Sequence, residues 1–299
     1  MNTQSHAMPE MTAPAPMSAT QPIYWSVKRE LWENRSIYIA PLAVAAVMVF
    51  GFLIASIGRA MSTSNLAQRL TVLEEPYHFA TALIMGATFV VGIFYCLEAL
   101  HGERRDRSIL FWKSLPVSDF TTVLSKASIP LVVLPALTLG IIVATHWIMF
   151  LLSSLVVLGS GLSVAALWKT LSLPQMWMVL FYHMVTVHVI WYTPIYAWLL
   201  LVSAWARRAA FLWAALPLVA IGVVERVAFN TTHFTAWLQY RFSGPEQFSF
   251  PERGASPSHL MMHLSPGTFL SAPGLWLGLA VAAAFLAAAV RLRRDQGPL

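Results

Sequence analysis

Between Ile129 and Trp168 the chain runs for 40 residues without an Asp, Glu, Lys or Arg, and Thr170–Ala206 adds another 37. A helix crosses the hydrocarbon core of a bilayer with about 20 mostly apolar residues. Neither run suits a helix that must face water. Four shorter stretches behave alike: Ile37–Gly58 with 22 residues, Phe79–Leu97 with 19, Ala209–Val224 and Gly274–Val290. Only 11% of the 299 residues are charged, against roughly 25% in soluble domains, so the side chains needed to cover a water-facing surface are missing. The expected fold is all-α, a polytopic membrane protein with six transmembrane helices. They fall at about residues 37–58, 79–100, 129–158, 176–205, 209–229 and 274–292. Gly159-Ser160-Gly161 is the first turn signal in the longest run, which therefore reads as one long helix and then a short irregular or re-entrant stretch.

Lys and Arg set the orientation, because short cytoplasmic loops carry an excess of them. With the N-terminus inside, 13 of the 19 basic residues fall on the cytoplasmic side, and Arg291, Arg293 and Arg294 require an even number of crossings to join them. The net charge of +6 is then a topology signal rather than a footprint for nucleic acid. Residues 1–22 lack a basic start and an apolar core and read as a disordered cytoplasmic tail, with residues 23–295 as one membrane domain and 296–299 as a cytoplasmic end. The single cysteine, Cys96, excludes an intrachain disulfide and any multi-cysteine metal site.

Two polar segments interrupt the apolar pattern. In Ile23–Ser36, Ile23, Val27 and Leu31 recur every four residues, while Lys28, Arg29, Glu33 and Asn34 take other faces. This predicts a helix lying in the membrane interface, the alternative being a cytoplasmic extension of the first span. His101–Ser128 opens with Glu103, Arg104, Arg105, Asp106 and Arg107, continues through the apolar Ile109-Leu110-Phe111-Trp112, and is broken by Pro116. The expectation is an amphipathic helix of about three turns. Anionic lipid favours a purely basic run, so the interleaved Glu103 and Asp106 point to a protein partner.

The string ERRDRSILFWKSLPVSDFTTVLSK resembles the signature after the second span of ABC-2 type transporter permeases, and KRELWENR is similar to the amphipathic elbow helix of that family. The resemblance departs at Asp106-Arg107-Ser108, where many members have an acidic residue followed by Gly-Thr. It implies an inner-membrane exporter subunit that pairs with a second permease and docks a separate ATP-binding subunit, the partner that binds ATP and Mg. The chain itself contains no GxxxxGK[ST] phosphate loop and would bind no cofactor and catalyse nothing. Glu103, Arg104, Arg105, Asp106, Arg107, Ser108, Trp112, Leu115 and Pro116 would form the coupling helix seated on the ATPase. Trp25, Lys28, Arg29, Glu30 and Trp32 would belong to the elbow.

Competing functions rest on histidine. His146, His183 and His188 lie in apolar runs and could serve a membrane-integral haem or redox protein. On an α-helix, however, His183 and His188 project about 140° apart, which excludes a chelate. His259 and His263 flank Leu260-Met261-Met262 in the long segment before the last span, a spacing that allows copper or zinc and hence metal handling but is weak alone; an amphipathic external helix is the plainer reading. Secondary transport is disfavoured because no acidic residue falls at mid-membrane.

Overall fold

The computed structural model describes residues 20–60, 66–115, 117–159, 163–243 and 266–297. The described residues form helices and short connections: α1 (Thr20–Glu33), α2 (Ser36–Ala60), α3 (Leu66–Ala99), α4 (His101–Arg105), α5 (Ile109–Ser114), α6 (Asp119–Ser128) and α7 (Leu134–Gly159). There follow α8 (Val164–Leu171), α9 (Leu173–His183), α10 (Thr193–Trp205), α11 (Ala210–Val224), α12 (His233–Ser243), α13 (Pro266–Ser271) and α14 (Pro273–Asp295). Among the described residues, six stretches are long and apolar enough to cross a membrane: Ser36–Ser56, Glu75–Arg105, Asp119–Gly159, Leu167–Trp191, Ala210–Phe229 and Pro273–Asp295.

Several boundaries differ from the sequence reading. The third span is an unbroken helix from Asp119 to Gly159, passing through a π-turn at Ile129–Val133. Pro130 has no N–H to give, and the wider turn accommodates it. The stretch expected as one helix at 176–205 instead begins at Leu173, winds as a π-helix over Met184–Trp191, and restarts at Thr193 after a turn at Tyr192. Pro194 stands at the first turn of that new helix, the position a proline tolerates best. The three-turn loop helix is also divided, into α4 and α5, at Asp106–Ser108. Arg107 there has φ 59°. A turn at Asn34–Arg35 separates α1 from the first span, so α1 is not its extension.

Exposed apolar side chains such as Val47, Phe50, Leu155 and Leu216 cover the outside of the spans, as lipid requires and water would not. Three of the buried clusters hold the spans together. Tyr95, Cys96, Leu134, Tyr196 and Leu200 join spans two and three to α10. Tyr77, Met149, Leu167 and Leu173 pack beside Phe52 toward the other end. Ile84, Ile142, Leu180 and Met184 lie in a third cluster. Helix α10 packs along α14, and α1 lies against α6. These two contacts bring the first and the last described helices to the loop that follows span two.

Candidate functional site

Four segments far apart in sequence each put a charge on their own buried stripe, and the charges meet. On α1, Glu30 shares the inward face with Val27 and Leu31, three before and one after it. Lys126 on α6 sits between the buried Val123 and Ala127, and Arg293 follows the buried Ala289 by one turn of α14. Glu103 comes from α4. Glu30 is 1%, Lys126 2%, Arg293 4% and Glu103 8% exposed.

Lys126 Nζ is the hub, 2.7 Å from Glu30 Oε1 and 3.1 Å from Glu103 Oε1. Arg29 Nη2 spans the same two carboxylates at 2.7 and 3.2 Å. Arg293 reaches Glu103 Oε2 at 3.1 Å and Asp119 Oδ1 at 3.4 Å. Tyr95 from span two donates its hydroxyl to Glu30 Oε2 at 2.9 Å. Three carboxylates, Glu30, Glu103 and Asp119, thus face the three cations Arg29, Lys126 and Arg293. Burial pushes the Glu30 carboxyl up, but Lys126 and Arg29 outweigh it and hold the group below its usual range. A buried pair of this kind adds little net stability, because desolvation offsets attraction. Removing one member is what costs, since the other is left buried and uncompensated.

The loop is fastened by helix ends as well. Arg104 Nη1 donates to Ala204 O at 2.6 Å, and His101 Nδ1 lies 3.1 Å from Ala206 O. Ser203 Oγ accepts from the backbone N–H of Leu100 and His101 at 3.0 and 2.9 Å. A guanidinium on the terminal carbonyls of α10 satisfies acceptors that the helix cannot, and meets the negative end of its dipole. Lys113 Nζ does the same for α14, donating to Arg294 O at 3.2 Å and Gln296 O at 3.1 Å.

The resemblance-bearing residues therefore split into two sets. Glu103 and Arg104 turn inward, and Trp112 is half-buried with the Arg29 guanidinium stacked 3.8 Å from its ring centre. Arg105, Asp106, Arg107, Leu110, Phe111 and Leu115 stay exposed. Arg105 pairs with Glu98 at 2.7 Å and Asp106 at 3.0 Å. Ser108 is half-buried, its hydroxyl 3.4 Å from Glu103 O. Pro116 lies outside the described residues. On α1, Trp25 and Trp32 are exposed with Lys28 Nζ 5.1 Å from each ring, while Glu30 points inward.

Sequence reasoning took Lys126 and Arg293 as marks of orientation and Glu103 as a partner contact, and so missed the cluster. The burial of each charge was legible, since each stands where the helical spacing of apolar neighbours places the core, but its partners were not.

The histidines divide too. His146 has both ring nitrogens engaged: Nδ1 accepts from Trp177 Nε1 at 3.2 Å, and Nε2 lies 3.1 Å from Thr81 Oγ1 and 3.2 Å from Tyr77 O. It links spans two, three and four, and an axial haem ligand would have to give up that link. His183 and His188, expected to diverge, have ring centres 6.0 Å apart because the intervening helix is π-wound. Among the described residues no group of three or more His, Cys, Asp or Glu is placed to hold a metal ion. His259 and His263 lie outside those residues.

Fold and composition define a multi-pass, all-helical membrane protein. No family model matches the chain, and no curated protein or solved structure matches it significantly.

Proposed function

We propose that the chain is the membrane subunit of an ATP-driven exporter of the ABC-2 type, pairing with a second permease and docking a separate ATP-binding subunit on the loop after span two. One observation carries the reading. The inner face of that loop is clamped by buried charge to α1, α6 and α14, and its first turn to the end of α10, while Arg105, Asp106, Arg107, Leu110 and Phe111 are left outside. A surface held this way moves with the spans beneath it. Displacement by a closing ATPase pair would be passed to spans two, three and six and to α10 as rigid-body rocking. ATP and Mg would be bound by the partner alone, since the sequence has no phosphate loop.

Arg107 also supports this reading. Its φ of 59° lies in the left-handed region that favours glycine, and it stands where the family pattern has Gly. The basic residues gather on the loop side, which we assign to the cytoplasm.

Reversing Arg105 and Arg107 together to Glu is the test. Misplaced charge at a docking surface costs about 2–5 kcal/mol, at least roughly thirty-fold in affinity. The variant should express and pair normally but lose ATPase association or transport. Full transport with the ATPase still bound would overturn the assignment of this loop.

A further inference from the structure

His183 and His188 are five residues apart, and the π-winding of Met184–Trp191 brings them onto one side of the fourth span. In a π-helix the hydrogen bonds run from i to i+5, so residues at that spacing stack, and such turns concentrate at functional sites. The His188 side chain is buried, the residue being 7% exposed, and neither of its ring nitrogens has a hydrogen-bond partner. Phe89 and Tyr192 close around it, with ring centres 6.4 and 5.4 Å away. A neutral imidazole keeps one lone pair and one N–H, and leaving both unused inside apolar packing is unfavourable. Neither nitrogen of His188 is committed to another group.

The separation of the rings selects the ligand. With metal–nitrogen bonds of about 2.0 Å and roughly 1.1 Å from each nitrogen to its ring centre, two imidazoles across a linear ion stand about 6.2 Å apart, and across a tetrahedral ion about 5.1 Å. The observed 6.0 Å falls near the linear limit. No third His, Cys, Asp or Glu completes the set among the described residues, so a zinc-like ion would lack the four ligands it takes. A divalent charge would also enter an apolar site without a carboxylate or thiolate to offset it. A monovalent d10 ion is satisfied by two neutral nitrogen donors and brings the smallest charge.

We propose that His183 and His188 form a two-coordinate site for Cu(I) within the fourth span. The ion binds through one lone pair of each neutral imidazole, with no change in its oxidation state. This inference is independent of the exporter reading, because its readout is metal held by the purified chain.

The experiment is an anaerobic titration of the purified full-length protein in nanodiscs with Cu(I), against the colorimetric chelator bicinchoninate. The wild type should withhold one equivalent from the chelator, and His188→Ala and His183→Ala should each release it. A His259→Ala, His263→Ala double variant should keep it. X-ray absorption of the wild-type complex should read two nitrogen neighbours, which decides the matter even where a histidine variant fails to fold. No equivalent withheld by the wild type overturns the proposal. So does loss of the ion in the His259/His263 variant with retention in His188→Ala, and so do sulfur or four-coordinate neighbours in the absorption spectrum.

Discussion

Replacing Lys126 with Met removes the hub of the ion cluster while keeping most of its volume. Lys126 Nζ is 2.7 Å from Glu30 and 3.1 Å from Glu103, and the residue is 2% exposed. Without it, three carboxylates face only Arg29 and Arg293, and one negative charge stays buried without compensation. Breaking a buried pair from one side costs about 3–5 kcal/mol. Large chains shift by roughly 2–4 °C per kcal/mol, so thermal unfolding should fall by about 6–20 °C. The assay is intrinsic tryptophan fluorescence of the purified protein in detergent. Glu30→Gln should also destabilise, and the Lys126→Met, Glu30→Gln pair should lose less than the sum of the two, by about 0.5–3 kcal/mol. A melting point of Lys126→Met within about 2 °C of the wild type would refute the claim that the cluster is a buried, mutually dependent unit.

Four further outcomes follow from the same geometry. Glu30 is held below its usual range, so its contribution is full above the unfolded carboxylate value of about 4.3 and disappears as pH falls through the lower folded value. The melting-point gap between wild type and Glu30→Gln should therefore close on acidification below that value, and a gap independent of pH would contradict it. Gly278→Ala would set a β-carbon 2.6 Å from Arg241 Cζ and 2.9 Å from Nη1, displacing a guanidinium stacked on Trp191 and bonded to Gly274 O. It should destabilise by about 1–3 kcal/mol and be tolerated in an Arg241→Ala background; equal cost in both backgrounds would exclude this contact as the cause. Arg107→Gly should raise stability by about 1 kcal/mol, since it removes left-handed strain from a side-chain-bearing residue; a lowered melting point would show that the Arg107 side chain contributes more than its backbone costs. A cysteine at Gln296 should react with a membrane-impermeant thiol reagent only after permeabilisation, and labelling in intact cells would reverse the proposed orientation.

The spans were legible because lipid tolerates no unpaired charge, so runs without Asp, Glu, Lys or Arg mark them directly. Their ends were less so. Asp119–Ser128 carries Asp119 and Lys126 and yet continues the third span, because these charges are met by Arg293, Glu30 and Glu103 from other segments. No local pattern can reveal a partner 96 residues away, the separation between Lys126 and Glu30. The break before Thr193 had a local sign in Pro194, since proline suits the first turn of a new helix and cannot donate to a helix running in from upstream. The π-winding over Met184–Trp191 had none, and it reversed the expected divergence of His183 and His188. The division of the loop helix at Arg107 was hidden for a similar reason: an Arg in left-handed backbone is uncommon, and α4 and α5 on either side of it are anchored to different neighbours.

The central claim is that the exposed half of the loop is a docking surface for an ATP-binding subunit. A photo-crosslinking amino acid at Phe111, which is 59% exposed beside Arg107 and Leu110, tests it in the native membrane. Irradiation followed by mass spectrometry should identify one polypeptide carrying a GxxxxGK[ST] phosphate loop, and the crosslink should vanish in the Arg105→Glu, Arg107→Glu background. Crosslinks to lipid alone, or to proteins without a phosphate loop, would contradict the account.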